Sequence, residues 1–94
     1  MQESGLTMKA HVILYTRPGC HLCEEARQEM LKADCGDDYT LAEVNIDADP
    51  TLKERYGWEI PVVLINNVKA FKYRLTADEF RRKVKRAAQS STPD

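Results

Sequence analysis

Two unbroken apolar runs stand out in the pattern of hydrophobic and polar residues along this chain. They cover residues 12–15 and 62–65, and uninterrupted runs of this length are typical of strands that are buried on both faces. Asn66 and Asn67 follow the second run and can adopt the positive φ angles of a two-residue hairpin turn. The pattern therefore predicts two central strands and, after the turn, an edge strand of mixed polarity over residues 68–75.

A helix is predicted after the first run, beyond a break at residues 17–19 (Arg-Pro-Gly). Gly36 is a suitable terminator for this helix. Asp49 and Pro50 supply the N-cap and the first position of a second, shorter helix, which Gly57 ends. The apolar positions on one side of the first helix are Cys23, Ala26, Met30 and Ala33.

Two further elements complete the pattern. Polarity alternates over residues 40–46, which predicts a half-buried strand between the first two helices. Thr76 and Glu79 form a capping box for the last helix. The inward positions of that strand are Ala42, Val44 and Ile46, and those of the last helix are Phe80, Val84, Ala87 and Ala88.

The predicted order of elements is β-α-β-α-β-β-α. A right-handed crossover makes the first two strands parallel, and the hairpin makes the last two antiparallel. Helices can then cover both faces of one four-stranded mixed sheet, which defines the α/β class. The 94 residues suffice for one domain, which we assign to residues 9–89, with residues 1–8 and 90–94 as flexible termini.

Composition narrows the classes of function. The net charge is −1, and the basic run over residues 81–86 has no interleaved aromatic residues, so we interpret it as a solvated helix face rather than a nucleic-acid interface. The longest apolar run is too short to span a membrane, and the N-terminus lacks the pattern of a secretory signal. We therefore expect a cytoplasmic monomer that binds neither nucleic acid nor membrane.

The motif Cys20-His21-Leu22-Cys23 lies where the first strand gives way to the first helix. Unpaired N–H groups and the helix dipole stabilise a negative charge on Cys20 there, and Arg17 and a protonated His21 could add to this field. Cys23 lies one turn deeper on the same side, within reach of a disulfide. The expected chemistry is attack by Cys20 on a substrate disulfide, followed by resolution of the mixed disulfide by Cys23.

A Cys-x-x-Cys pair is also half of a zinc site, or it can be a purely structural disulfide. Zinc needs a second ligand pair, and Cys35 at the far end of the helix is roughly 22 Å from Cys20 at about 1.5 Å per residue. A structural disulfide across so short a loop stabilises little. The strand–helix context favours redox chemistry without a metal, and Cys35 is interpreted as an incidental small residue.

Three segments strengthen this interpretation: LYTRPGCHLCEEA, IDADP, and RYG followed by IPVVLI. Over residues 10–88 the chain resembles the glutaredoxin-like branch of the thioredoxin superfamily. The resemblance implies a thioredoxin-like fold with strand order 2-1-3-4. It also implies a cis Pro61 that faces the dithiol, with Ile60 pairing by its backbone with the bound substrate. His21 matches the position at which family members tune the reduction potential, and we add Arg17 and Pro18 to the substrate-binding loop.

Two places depart from the family pattern. Thioredoxins carry a buried acid six residues before the first cysteine, whereas this chain has Leu14, so proton transfer must use water or another group such as Glu24. Glutaredoxins place two glycines and an aspartate at the start of the last helix to hold glutathione. Residues 72–78 contain no glycine and offer only Asp78. We therefore expect no bound cofactor, with glutathione at most a reductant.

These observations predict a thiol–disulfide oxidoreductase that reduces protein or small-molecule disulfides and is recharged by a thiol reductant system. One alternative is a glutathione-dependent glutaredoxin or an iron–sulfur carrier that bridges a cluster between two chains. Another is a redox-inert interaction domain of the same fold that uses the sheet edge. Tyr56 and Trp58 could line a substrate groove before Pro61, but packing around the short helix is the preferred interpretation of both residues.

Overall fold

A computed structural model of the protein describes residues 9–89, and the termini expected to be flexible, 1–8 and 90–94, lie outside them. Within that range the chain forms four strands and three α-helices in the predicted order. No helix among these residues is long and apolar enough to cross a bilayer. The elements are β1 (Ala10–Thr16), α1 (His21–Lys32), β2 (Tyr39–Asn45), α2 (Pro50–Tyr56), β3 (Val62–Ile65), β4 (Val68–Lys72) and α3 (Ala77–Gln89).

The sheet has the strand order β2-β1-β3-β4. Strand β1 runs parallel to β2 and antiparallel to β3, and β3 pairs with β4 through the hairpin. Asn66 and Asn67 have φ angles of 51° and 69°, as the two-residue turn requires. The mixed sheet and the α/β class are thus confirmed, with β2 and β4 at the edges.

The main core lies between one face of the sheet and helices α1 and α3. Phe80 of α3 is fully buried there, with its ring centroid 5.1 Å from that of Tyr39 and 6.4 Å from that of Phe71. Helix α2 packs on the opposite face, where Tyr56 stacks on Tyr15 at 4.6 Å. Helices therefore cover both faces of the sheet, as predicted.

The first helix ends four residues before Gly36, so the prediction that Gly36 terminates it is wrong. Helix α1 ends at Lys32, and Asp34 adopts the left-handed conformation with a φ angle of 53°. The Asp34 N–H donates to the Leu31 carbonyl over 3.1 Å and closes the last turn. Aspartate tolerates this conformation, so the glycine is not needed, and Gly36 instead begins a 3₁₀ turn at Gly36–Asp38.

The second strand is more exposed than its alternating pattern predicts. Ala42 is exposed, and of the three residues expected to face inward only Ile46 is fully buried. Ile46 lies not in the strand but in the 3₁₀ turn Ile46–Ala48 that follows it. The reason is the position of β2 at the sheet edge, where no helix within residues 9–89 covers the face that carries Ala42.

The strand after the hairpin is shorter than predicted. Strand β4 ends at Lys72 because Tyr73 has a φ angle of 71°, which breaks the extended conformation. Half of the predicted capping box is present, since the Thr76 hydroxyl accepts the Glu79 N–H over 3.2 Å. On α3, Phe80 and Val84 are fully buried as predicted, whereas Ala87 and Ala88 are half-buried.

Candidate active site

A tight turn carries the chain from β1 into α1. The Cys20 N–H donates to the Arg17 carbonyl over 3.3 Å, and Gly19 has a φ angle of 79°. Pro18 and Gly19 therefore occupy the central positions of a type II turn, in which proline is common at the first and glycine is favoured at the second. The turn delivers Cys20 to the N-cap position of α1.

The two cysteines of the motif have different environments. The Cys20 sulfur accepts the backbone N–H of Cys23 over 3.2 Å, and the two residues form a disulfide with Cα atoms 5.2 Å apart. Cys23 is fully buried, whereas Cys20 is half-buried. Because the free N–H groups of a first helical turn stabilise negative charge, this geometry favours a thiolate on Cys20 when the bond is reduced.

The segment before β3 lies at the same end of the sheet as the dithiol. Tyr15 of β1 pairs with Val62, which places Pro61 beside the carboxyl end of β1. The Ile60–Pro61 bond is cis, as the resemblance implies, and Pro61 is fully buried. The Tyr73 N–H donates to the Pro61 carbonyl over 2.9 Å, whereas the N–H and carbonyl of Ile60 have no partner within residues 9–89. Ile60 therefore has an unpaired N–H and carbonyl at the end of the sheet that carries the cysteines.

The two side chains expected to act on Cys20, Arg17 and His21, both have carboxylate partners. Arg17 donates through Nε and Nη2 to Asp47 Oδ1, at 3.2 and 2.9 Å. His21 is 87% exposed, and its Nε2 lies 3.1 Å from Glu25 Oε2. Asp47 thus offsets the charge of Arg17, whereas the start of α1 contacts the Cys20 sulfur directly through the Cys23 N–H.

The position of the thioredoxin acid holds no acid in this chain, and the acid suggested in its place has partners of its own. Leu14 is fully buried at the position of the thioredoxin acid. Glu24 accepts from Arg27 Nη1 over 2.7 Å, and Arg27 also donates to Glu43. Both carboxylates raise the pKa of Arg27, and the hydrogen bond that Arg27 donates to Glu43 raises it most strongly. Glu24 is thus part of a surface ion-pair network with Arg27 and Glu43.

The start of α3, where glutaredoxins hold glutathione, is already capped. The Ala77 N–H donates to Glu29 Oε1 over 3.0 Å, across from α1. Lys32 Nζ donates to Glu29 Oε2 over 3.1 Å, and these two hydrogen bonds lower the pKa of Glu29, that from Lys32 most strongly. Asp78 is exposed. The sequence holds no local signal for the role of Glu29, because its partner is 48 residues away.

Of the two aromatic residues before Pro61, only one packs as predicted. Tyr56 is buried against Tyr15, whereas Trp58 is 92% exposed, so the packing interpretation of Trp58 is wrong. The Glu59 N–H donates to the Tyr56 carbonyl over 2.8 Å, which closes a turn with Trp58 near its tip. The sequence signal for a chain reversal here is Gly57, which ends α2 just before this turn.

The third cysteine lies apart from the motif. Cys35 is free and buried in the core beyond the end of α1. Burial raises the pKa of its thiol, and the nearby Asp38 carboxylate raises it further. Within residues 9–89, no three His, Cys, Asp or Glu side chains are grouped so as to hold a metal ion.

Fold and site together define a thioredoxin-fold protein with a Cys-x-x-Cys pair at the start of its first helix. The family model described as "Glutaredoxin-like domain (DUF836)" matches residues 11–85. The chain therefore belongs to this glutaredoxin-like family. No curated protein matches the chain.

Solved structures show the same fold. Protein XcR50 from X. campestris is 27% identical with a TM-score of 0.68, over 87% of this chain and 99% of that one. Protein Ne2328 from Nitrosomonas europaea is 28% identical with a TM-score of 0.66, over 83% of this chain and 92% of that one. A mutant thioredoxin from Halobacterium salinarum has a TM-score of 0.64 at 12% identity, over 86% of this chain and 76% of that one. At this identity the last comparison shows the fold alone.

Proposed function

We propose that this protein is a thiol–disulfide oxidoreductase that reduces disulfides of proteins or small molecules through Cys20 and Cys23. The observation that carries the proposal is the asymmetry of the pair. Cys20 is half-buried at a helix N-terminus and accepts an N–H bond, whereas Cys23 is fully buried behind it. One thiol is therefore accessible and stabilised as a thiolate, and the other is shielded from everything except its partner.

The reaction has two exchange steps. The Cys20 thiolate attacks one sulfur of the substrate disulfide, forms a mixed disulfide and releases the other sulfur as a thiolate, which takes a proton from water. Cys23 loses its proton to water and attacks the Cys20 sulfur, which forms the Cys20–Cys23 disulfide and releases the second substrate sulfur as a thiolate that takes a proton from water. Two electrons pass from the dithiol to the substrate, and an external thiol reductant returns two electrons to the protein.

Ile60 supports the binding step of this proposal. Its unpaired N–H and carbonyl lie in the segment before Pro61, at the end of the sheet that carries the dithiol. An extended peptide can pair with both groups, which would align its disulfide with Cys20. The turn at Arg17 and Pro18, which follows β1, lies at the same end of the sheet as the dithiol and Ile60.

The start of α3 argues against a glutathione-dependent reaction. The Glu29 carboxylate already accepts a hydrogen bond from the Ala77 N–H, and the Thr76 hydroxyl accepts one from the Glu79 N–H. A glutathione carboxylate would have to displace Glu29 from this position. Residues 72–76 add bulky and basic side chains instead of the glycine pair, so glutathione serves as a reductant rather than as a bound ligand.

The proposal is tested by redox titration and by turnover. Equilibration with dithiothreitol at varied ratios of reduced to oxidised form should give a single two-electron transition, read as two alkylatable thiols gained per chain. Reduction of a protein disulfide by dithiothreitol should be accelerated by the wild type and by Cys35→Ala, but not by Cys20→Ser. A pair that does not cycle, or a Cys20→Ser variant that retains turnover, would rule out the proposed function.

A further inference from the structure

Trp58 and Lys53 line a shallow groove beside the proposed active site. The groove has a volume of about 290 Å³, and Gly57 and Arg17 complete its walls. Arg17 links the groove to the dithiol, since its carbonyl accepts the Cys20 N–H. Trp58 precedes Ile60 by two residues, so the groove also adjoins the segment proposed to pair with the substrate backbone.

The groove combines an exposed aromatic ring with a lysine that has no ion-pair partner among the described residues. Trp58 is 92% exposed, although tryptophan is the side chain that gains most from burial in an interface. Lys53 is exposed and has no carboxylate partner among the described residues. Arg17 adds little net charge, because Asp47 lies 2.9 Å from its guanidinium. The groove therefore complements an apolar residue next to a carboxylate.

We propose that this groove docks a segment of the substrate protein in which an acidic side chain accompanies an apolar one close to the target disulfide. The proposal rests on the proposed function and names the class of substrate that the site selects. The apolar residue covers the Trp58 ring, and the acidic side chain pairs with Lys53. Small disulfides without flanking residues do not contact the groove, so it does not affect their rate of reduction.

The kinetic test uses disulfide-linked peptide dimers that place leucine near the cysteine, with glutamate, glutamine or lysine as a variable neighbour on either side. Wild type should reduce the glutamate peptide with a kcat/KM about two- to fivefold above that for the lysine peptide, the range of an exposed ion pair. Lys53→Glu should reverse this preference. Arg82→Glu, which makes the same change of charge on α3, should leave the preference as it is. An unchanged preference in Lys53→Glu would overturn the proposal.

The aromatic contribution has its own pair of variants. Trp58→Ala should lower kcat/KM for the glutamate peptide about tenfold, as the loss of an aromatic anchor does. Trp58→Phe keeps an aromatic ring and should retain most of the wild-type kcat/KM. Leu31→Ala removes another exposed apolar side chain, on α1, and should have no effect. Equal behaviour of Trp58→Ala and Leu31→Ala would also overturn the proposal.

A binding measurement separates this proposal from the proposed function. Trp58 is the single tryptophan of the chain, so its fluorescence reports on the groove alone. Each peptide is attached chemically to Cys20 in a Cys23→Ser chain, which requires no turnover. The glutamate peptide should shift the emission to shorter wavelength more than the lysine peptide does, and equal shifts would contradict docking. Failure of the wild-type dithiol to cycle in the dithiothreitol titration would instead contradict the proposed function, while the fluorescence still decides the docking.

Discussion

The backbone N–H of Cys23 donates to the sulfur of Cys20 over 3.2 Å, while the side chain of Cys23 is fully buried. One residue thus contributes to both halves of the proposed reaction. Its backbone stabilises the attacking thiolate, and its own thiol then displaces the substrate from Cys20. Because the donor belongs to the first turn of α1, it is in place before any substrate arrives.

This relationship predicts the order in which the three thiols react. In the fully reduced protein at mildly acidic pH, iodoacetamide should alkylate Cys20 first, then Cys23, and Cys35 last. Cys35 is slowest because burial raises the pKa of its thiol, so its thiolate fraction stays small until the solution is alkaline. Mass spectrometry of digested samples over time gives the order. Labelling of Cys23 before Cys20 would reverse the assigned roles.

Much of the fold and the dithiol could be predicted from local signals. The apolar runs at 12–15 and 62–65 mark strands because only a covered strand tolerates such runs. Asp49 and the Asn66–Asn67 pair mark a helix start and a hairpin because their conformational preferences act over a few residues. The strand order and the cis Pro61 came from the family resemblance rather than from such signals.

The features that escaped prediction depend on the assembled structure. Glu29 caps α3 only because the fold brings α1 beside the start of α3. The exposure of Ala42 follows from the place of β2 at the edge, where no helix covers it. Trp58 is exposed because of a turn whose direction a hydrophobic pattern does not specify. Each of these is set by tertiary packing, which a linear pattern does not contain.

The packing of α3 on the sheet predicts a large stability effect at Phe80. Phe80→Ala should reduce the free energy of unfolding by about 3–5 kcal/mol, because it removes a fully buried ring that packs against Tyr39 and Phe71. Urea unfolding followed by circular dichroism measures the change. Leu31→Ala, at a position that is 71% exposed, should change it by no more than about 0.5 kcal/mol. Similar losses in both variants would contradict the assignment of the core.

The contact between Glu29 and α3 predicts a pH-dependent contribution to stability. The folded-state pKa of Glu29 lies below the ordinary value of 4.5, because Lys32 and the Ala77 N–H both bind the charged form. A carboxylate with a lowered pKa stabilises the fold above its unfolded-state pKa, and this contribution is lost as the pH falls through the folded-state value. Glu29→Gln should therefore be less stable than wild type at pH 7, with the difference disappearing towards pH 3.

The matched control for this prediction is Glu54→Gln, which changes the same type of side chain at an exposed position on α2. Urea midpoints at pH 7 and pH 3 give the comparison. Glu54→Gln should follow the wild type at both values of pH. If Glu29→Gln follows it too, the carboxylate does not stabilise the start of α3.

Removal of the resolving thiol separates a dithiol mechanism from a glutathione-dependent one. Cys23→Ser keeps Cys20 at the helix N-terminus but leaves no internal thiol to displace the substrate. Reduction of protein disulfides should therefore be lost, and mixed disulfides on Cys20 should accumulate, visible by non-reducing electrophoresis and intact mass.

The same variant should also reduce glutathionylated substrates slowly with glutathione alone. A glutathione-dependent enzyme needs only the first cysteine, but it must hold the glutathione half of the mixed disulfide. Here Glu29 occupies the Ala77 N–H at the start of α3, and loss of a hydrogen bond from such a site costs about 0.5–1.5 kcal/mol, or more where charge is involved. Rates for Cys23→Ser are compared with those of Cys20→Ser as the inactive reference. Brisk turnover by Cys23→Ser would show that the chain binds glutathione despite this contact, and would make it a glutathione-dependent glutaredoxin.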